Sequence, residues 1–216
     1  MGPMPERFPN LHVVDHPLVQ HKLTGMRRKE SSRAEFRRLL REIGMLMTYE
    51  ATRNWPLGSI TIQTPVAEMQ APCLVQEEVA IIPVLRAGLG MAEGVMEILP
   101  TARMGHIGVY RDPKTKAPVE YLVKLPPARG QHFLLVDPML ATGGSAAHAV
   151  DIVLGHGAEP KSIVFMALVA APEGLAVFFE RHPNIPVFVA SLDLHLDERA
   201  YIVPGLGDAG DRIYGT

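Results

Sequence analysis

A run of small and hydroxyl-bearing residues follows the apolar stretch His132 to Val136 (HFLLV): Asp137, Pro138, Met139, Leu140, Ala141, Thr142, Gly143, Gly144 and Ser145. Gly143 and Gly144 let a ligand approach the backbone closely, and a helix starting there offers unpaired N–H groups and a partial positive charge. With the hydroxyls of Thr142 and Ser145 these are the parts of a phosphate cradle. Asp137 has the opposite chemistry, repelling phosphate but accepting hydrogen bonds from sugar hydroxyls. The loop lacks the lysine of G-x-x-x-x-G-K-[ST] and the spacing of G-x-G-x-x-G, so neither a Walker loop nor a dinucleotide fingerprint is present. A plain strand-to-helix turn capped by Ser145 would use the same residues, and residue types alone leave both readings open. In a second glycine-rich stretch, PVLRAGLGMAEG (Pro83 to Gly94), Arg86 supplies a planar cation of the kind that grips a diphosphate with two parallel hydrogen bonds.

These side chains need a scaffold that brings separate loops together. Short apolar runs at Val79 to Leu85, Gly105 to Tyr110, Val119 to Val123, His132 to Val136, Ser162 to Val169 and Pro186 to Ala190 read as strands. Helical stretches at Gly90 to Leu99, Gly144 to Gly155 and Glu173 to Arg181 lie between them. Strands apolar on both faces and alternating with helices predict an α/β fold with a mostly parallel central sheet flanked by helices. In such sheets ligands bind at the carboxyl ends of the strands, which is where Arg86 and Asp137 would lie. Gly105 to Tyr110 and Val119 to Val123 suggest a hairpin around Asp112-Pro113. Upstream, Phe36, Leu39, Leu40, Ile43, Leu46 and Met47 recur at helical spacing behind a Ser32-x-x-Glu35 capping box, predicting a helix from Ser32 to Glu50.

The chain has 216 residues, 47% of them apolar, and a formal net charge of −2. No stretch approaches the ~18 continuous apolar residues of a membrane span, and the charge balance speaks against a broad nucleic-acid surface. The start, MGPMPERFPN, lacks the pattern of a signal peptide, and Cys73, the one cysteine, has no disulfide partner, which together point to a cytoplasmic protein. Cys73 falls in an apparent linker. A single domain over residues 1–216 is expected, with an N-terminal extension to about residue 31. The 19 Gly and 19 Pro exceed the usual ~12% combined share and call for many turns. Much of the glycine lies in the C-terminal segment YIVPGLGDAGDRIYGT, Tyr201 to Thr216, which keeps Ile202, Val203, Leu206, Ile213 and Tyr214, more apolar residues than a frayed tail carries. Asp193, His195 and Asp197 alternate with Leu194 and Leu196 as in a half-exposed strand rather than a metal site. His12, His16 and His21 make a poor ligand set, since Pro17 is expected to interrupt a helix through them.

The acid-x-x-x-x-Thr-Gly-Gly-Ser pattern resembles the 5-phosphoribosyl 1-diphosphate (PRPP) loop of type I phosphoribosyltransferases, and the full string DPMLATGGSA resembles its uracil phosphoribosyltransferase version. HPLVQHKLTGMR, FRRLLREIGMLMTYEATR, the Arg86 stretch, VYRDP and the C-terminal segment are similar to the same family, so the resemblance spans nearly the whole chain. It implies the type I fold with a small hood and a β-hairpin arm, and transfer of phosphoribose from PRPP to uracil, giving UMP and diphosphate in pyrimidine salvage. By resemblance, residues 137–145 hold PRPP, Arg86 and Arg111 are its diphosphate contacts, with Arg111 on a mobile loop, and Asp208 lies near the PRPP and metal side as a third candidate for the chemistry. The C-terminal segment from about residue 191 would bind the base, with backbone groups near Ile202 and Gly207, Asp208 and Ala209 reading the uracil edge and Tyr201 a plausible wall. Mg2+ would be bound mainly through PRPP, with no protein metal cage; a GTP effector and a homo-oligomer, dimer or tetramer, are further implications.

Departures from the family pattern are Asp197-Glu198 for a common Asn-Glu, and His195 and Ala200 for residues commonly Gly. They fall in an approach loop where an effect on base affinity or assembly, rather than on chemistry, is expected. An RNA-binding attenuator of the same fold would be expected to carry a double-acid motif and a basic face, whereas this chain has Asp137-Pro138 and near-neutral charge. A phosphoribosyltransferase for another base, or an idle paralogue, remains open.

Overall fold

The computed structural model describes residues 7–75, 78–111 and 118–216, and the side chains of Arg111 and Pro118 fall outside it. Its centre is the parallel sheet that the doubly apolar runs predict. Strand β1 (Leu11–Val13) lies at one edge, followed in space by β11 (Val187–Leu192), β10 (Ile163–Ala170), β8 (His132–Val136), β4 (Val79–Leu85), β6 (His106–Arg111) and β7 (Pro118–Lys124). Two short strands, β5 (Arg103–Met104) and β9 (Met139–Leu140), pair with β4 and β10. Every pairing is parallel except β6 with β7, an antiparallel pair with an irregularity at Gly108/Val109. The tip of that pair, at Asp112-Pro113, is outside the described residues.

Side-chain alternation assigns the two faces. Val79, Ile81, Leu134, Val136 and Met166 point to one core, where they meet Phe36, Leu40, Ile43 and Met47 of α2 (Arg33–Ala51) and Leu23 and Met26 of α1 (Pro17–Arg27). Ala80, Ile82, Phe133, Leu135 and Phe165 point to the other, against Ala147, Val150 and Val153 of α4 (Gly144–Gly155) and Leu175 and Phe178 of α5 (Pro172–Arg181). Both faces are buried, which is why these strands carry no polar alternation. Helix α3 (Gly88–Ile98) packs on α2 so closely that a Cβ on Gly94 would sit 2.1 Å from the Arg41 carbonyl oxygen. The expected cap is present, with Ser32 Oγ accepting from the Glu35 amide at 3.2 Å.

Two expectations change, at Pro17 and at Cys73. Pro17 begins α1 rather than interrupting a helix, because the first helical position has no use for an amide hydrogen; His16 caps it by accepting from Leu18 N at 3.2 Å. The segment before α2 is built into the structure: β1 extends the sheet in register Leu11 with Val187, and Gln20 Nε2 donates to the carbonyls of Val14 and Ala190 at 3.1 and 2.7 Å. Cys73 is not in a linker. It lies on β3 (Glu68–Leu74), which pairs with β2 (Leu57–Gln63) in a two-stranded hairpin apart from the main sheet, with Leu57, Ile60 and Met69 exposed. The chain closes with a small pair, β12 (His195–Leu196) and β13 (Ile202–Val203), and helix α6 (Ala209–Tyr214). Among the described residues no helix is long and apolar enough to cross a membrane.

Candidate active site

A cavity of about 480 Å³ opens at the carboxyl ends of β4 and β8. Its walls come from four separated stretches: the end of β4 with the turn after it, Val109 of β6, the loop after β8, and the chain from Arg199 through β13 to the start of α6. Of the predicted residues, Arg86, Asp137, Met139, Leu140, Ala141, Thr142, Gly143, Ser145, Ile202, Gly207, Asp208 and Ala209 all line it. Pro138 does not. It is buried, and its carbonyl accepts from Leu168 and Val169 at 3.1 and 3.2 Å, tying the loop to β10. Gly144 also lies off the wall and opens α4; a Cβ there would meet nothing within 4 Å. Arg111 ends β6, but its side chain is not described.

The loop after β8 is shaped by Gly143, whose φ of +79° is left-handed and disfavours any residue with a Cβ. From that turn α4 begins, Ala147 N donating to the Gly143 carbonyl at 2.9 Å, so the free amides of the first turn belong to the loop. Across the cavity, Asp208 caps α6 by accepting from Asp211 N at 2.9 Å. The Asp137 carboxyl accepts weakly from Met139 N at 3.3 Å. Burial, with a smaller push from the charge of Asp208 and against the pull of that amide, raises it to about 7. Two carboxyl groups therefore feel each other across a cavity that also holds a phosphate-type loop and Arg86.

The C-terminal wall hangs on one buried acid. Asp193 is 6% exposed while Leu194 is 70% exposed, the reverse of the half-exposed strand expected there. Arg27 meets it with two bonds, Nη1 to Oδ2 at 2.7 Å and Nη2 to Oδ1 at 2.6 Å, and Ser191 Oγ and Gly205 N donate to it at 2.8 and 2.9 Å. Burial works to raise this carboxyl, but Arg27, Ser191 and Gly205 together hold it below its ordinary value. A second anchor is Arg212, which donates to the carbonyls of Met26, Leu206 and Arg28 and lies 4.5 Å from the centre of the Phe36 ring. Segment 202–214 is thereby held to α1 and α2 at both ends.

The sequence model of the uracil phosphoribosyltransferase family matches residues 13–216. The chain belongs to the uracil phosphoribosyltransferase family. It is 59% identical over 210 residues to a uracil phosphoribosyltransferase of Ralstonia pickettii, covering 97% of each chain, and 59% identical over 209 residues to one of Rhodospirillum centenum at the same coverage. A solved structure, that of the AQ2163 protein from Aquifex aeolicus, superposes with a TM-score of 0.90 at 34% identity, covering 95% of this chain and 98% of that one.

Among the residues of this uracil phosphoribosyltransferase family member that the sequence reading missed, two polar ones stand out, one on the cavity wall and one behind it. Arg199 lines the cavity from the rim. In the sequence Asp197-Glu198-Arg199-Ala200 looks like a solvated charged turn; in the structure Asp197 Oδ1 accepts from Arg199 N at 2.9 Å and Tyr201 N at 2.8 Å, folding the turn over the opening. An aspartate placed to bond its own backbone two residues on was the available signal. Ala200 sits at φ +65° and lines the cavity. The other is Tyr214, whose hydroxyl reaches the Arg86 carbonyl.

Proposed function

We propose that this chain transfers the phosphoribosyl group of PRPP to N1 of uracil: the ribose C1–oxygen bond breaks, diphosphate leaves, a C1–nitrogen bond forms, and the N1 proton is lost, giving UMP. The observation that carries the reading is a single cavity joining a phosphate-type loop, an acid at a strand tip, an arginine and a glycine-rich backbone wall. In this assignment the amides and hydroxyls of residues 142–145 hold the 5-phosphate, Asp137 the ribose hydroxyls, and Arg86 with Arg111 the departing diphosphate. Ile202 and Gly207 to Ala209 line the cavity, and in this assignment their main-chain N–H and C=O groups read the alternating donors and acceptors of the uracil edge. Transfer passes through a carbocation-like centre, so fixing the leaving group and presenting the base in line supply the acceleration, and no protein nucleophile is required.

Asp137 and Asp208, close enough for one charge to oppose ionisation of the other, fit a hard divalent cation such as Mg2+ that draws its remaining ligands from substrate oxygens and water. When bound with PRPP the cation neutralises diphosphate charge. In this assignment Asp208, which lines the same cavity, also steadies water or the N1 proton. The exposed apolar side chains of the β2–β3 hairpin support association with another copy of this chain, and light scattering with and without GTP tests both assembly and a GTP effector. The central test is a panel of uracil, cytosine, hypoxanthine and adenine with PRPP and Mg2+. UMP formation well above every other nucleotide is expected, and equal or faster use of another base overturns the assignment.

A further inference from the structure

Tyr214 makes two contacts with Arg86 that act on different parts of the same residue. Its hydroxyl donates to the Arg86 carbonyl at 2.9 Å, on the turn that follows β4, and its ring centre lies 5.4 Å from the Arg86 guanidinium carbon. The first contact holds backbone, while the second limits where the cation can swing. Arg86 is exposed and, among the described residues, has no carboxylate partner, so little else fixes its guanidinium.

The direction of influence follows from what holds each side. Helix α6 is held independently of Arg86: Asp208 caps its start, Arg37 Nε donates to the Ile213 carbonyl at 2.8 Å, Ile213 is buried in the core, and Gly215 closes the helix at φ +77°. Tyr214 is therefore set by the helix, and the Arg86 turn is set against it. Burial holds the phenol above its ordinary value, Arg86 and Arg37 pulling the other way and Glu93 reinforcing, so the hydroxyl keeps its proton and acts as donor at neutral pH.

We propose that Tyr214 is a positioning residue for Arg86, fixing the diphosphate-gripping turn through its hydroxyl and the guanidinium through its ring; this rests on the reading of Arg86 as the diphosphate contact. Because α6 begins at the base-side wall and ends at this contact, the helix ties the wall that faces uracil to the group that faces the leaving diphosphate. Displacement of α6 is then felt at both ends of the reaction.

The test uses the full chain with Tyr214→Phe, which keeps the ring, Tyr214→Leu, which removes both contacts, and Arg86→Met. Calorimetric titration with diphosphate, KM for PRPP and for uracil, kcat and thermal midpoint are measured for each. Loss of one hydrogen bond predicts about three- to tenfold weaker diphosphate binding and a matching rise in PRPP KM for Tyr214→Phe, with uracil KM and thermal midpoint nearly unchanged, and a larger loss for Tyr214→Leu. Adding Tyr214→Phe to Arg86→Met should weaken diphosphate no further. If Arg86→Met loses diphosphate binding while Tyr214→Phe does not, the positioning role is overturned and the Arg86 reading stands. Equal rises in both KM values with a lowered midpoint would mark Tyr214 as merely structural and also overturn the role. Unchanged diphosphate binding in Arg86→Met sinks the Arg86 reading itself.

Discussion

Replacing Asp193 by Asn keeps the shape of the side chain and removes its charge, which makes it a sharp probe of how the base-side wall is held. The wild-type carboxylate accepts four bonds, two from Arg27 and one each from Ser191 and Gly205. An amide in its place turns one acceptor into a donor that faces the Arg27 or Gly205 N–H, and leaves the guanidinium without a counter-charge. Breaking a buried pair on one side costs roughly 3–5 kcal/mol. The Arg27 side chain is 23% exposed and keeps its 2.7 Å bond to the Gly205 carbonyl, so it can rehydrate in part. The lower end, about 3 kcal/mol, is therefore expected, equivalent to a midpoint about 6–12 °C lower for a chain of this size. The difference depends on pH with a definite sign. Asp193 is held below its ordinary 3.8, so its contribution is complete above that value and disappears as pH falls through the lowered one. Scanning calorimetry at neutral pH, with uracil KM measured well below the midpoint, tests both stability and site. A midpoint within about 3 °C of wild type, or an unchanged uracil KM despite the predicted destabilisation, would refute the view that this acid suspends the wall.

Three other outcomes are expected. Gly144→Val meets no protein atom, so its midpoint should change little, while a branched side chain on the first residue of α4 should crowd a phosphate held by the first-turn amides and raise PRPP KM; Gly143→Ala, at φ +79° and 2.2 Å from the Gly174 oxygen, should instead lower the midpoint itself, and undiminished PRPP affinity in the Val variant would remove the phosphate cradle. Ala200→Gly relieves a left-handed alanine at φ +65°, and after the entropy that glycine adds to the unfolded chain a gain of about 0.5–1 kcal/mol remains, readable by urea unfolding and contradicted by any loss. Asp137, raised to about 7, should give kcat/KM for PRPP an acid limb near that pH which Asp137→Asn lacks. Because its folded value lies above 3.8, its favourable contribution is complete below 3.8 and lost as pH rises through about 7, so Asp137→Asn should stabilise the protein at about pH 8 and not at about pH 4.

The central sheet was legible because its physics leaves a mark on every strand: a segment such as Val79–Leu85 is apolar at each position because both faces are covered. Ser32 with Glu35 announced α2, and the loop from Asp137 to Ser145 announced the site through glycines and hydroxyls that no core position needs. The β2–β3 hairpin left a fainter mark, since neither of its faces is buried and the alternation from Ser59 to Gln63 spans only five residues. β1 has three residues, too few for a pattern, and joins the sheet only because the β11 edge is there to receive it. Asp193 misled because alternation reports a two-residue repeat without saying which set faces inward; its partner, Arg27, lies 166 residues away. Arg199 and Tyr214 reach the site through a folded turn and a terminal helix, contacts that depend on tertiary placement alone.

Gly143 and Gly174 meet back to back. A Cβ on the first would lie 2.2 Å from the Gly174 oxygen, and one on the second 2.2 Å from the Ala141 oxygen. The loop after β8 is thus wedged from behind by the start of α5, which holds its left-handed turn at Gly143 without help from a ligand. Ordering of that loop is a cost met once, during folding, and not again at each turnover, so substrate affinity there is not spent on immobilising backbone. The same wedge constrains two distant stretches of sequence in heredity: a side chain at 143 would have to displace the backbone of Gly174 and one at 174 the backbone of Ala141, so each position is closed to anything larger than glycine.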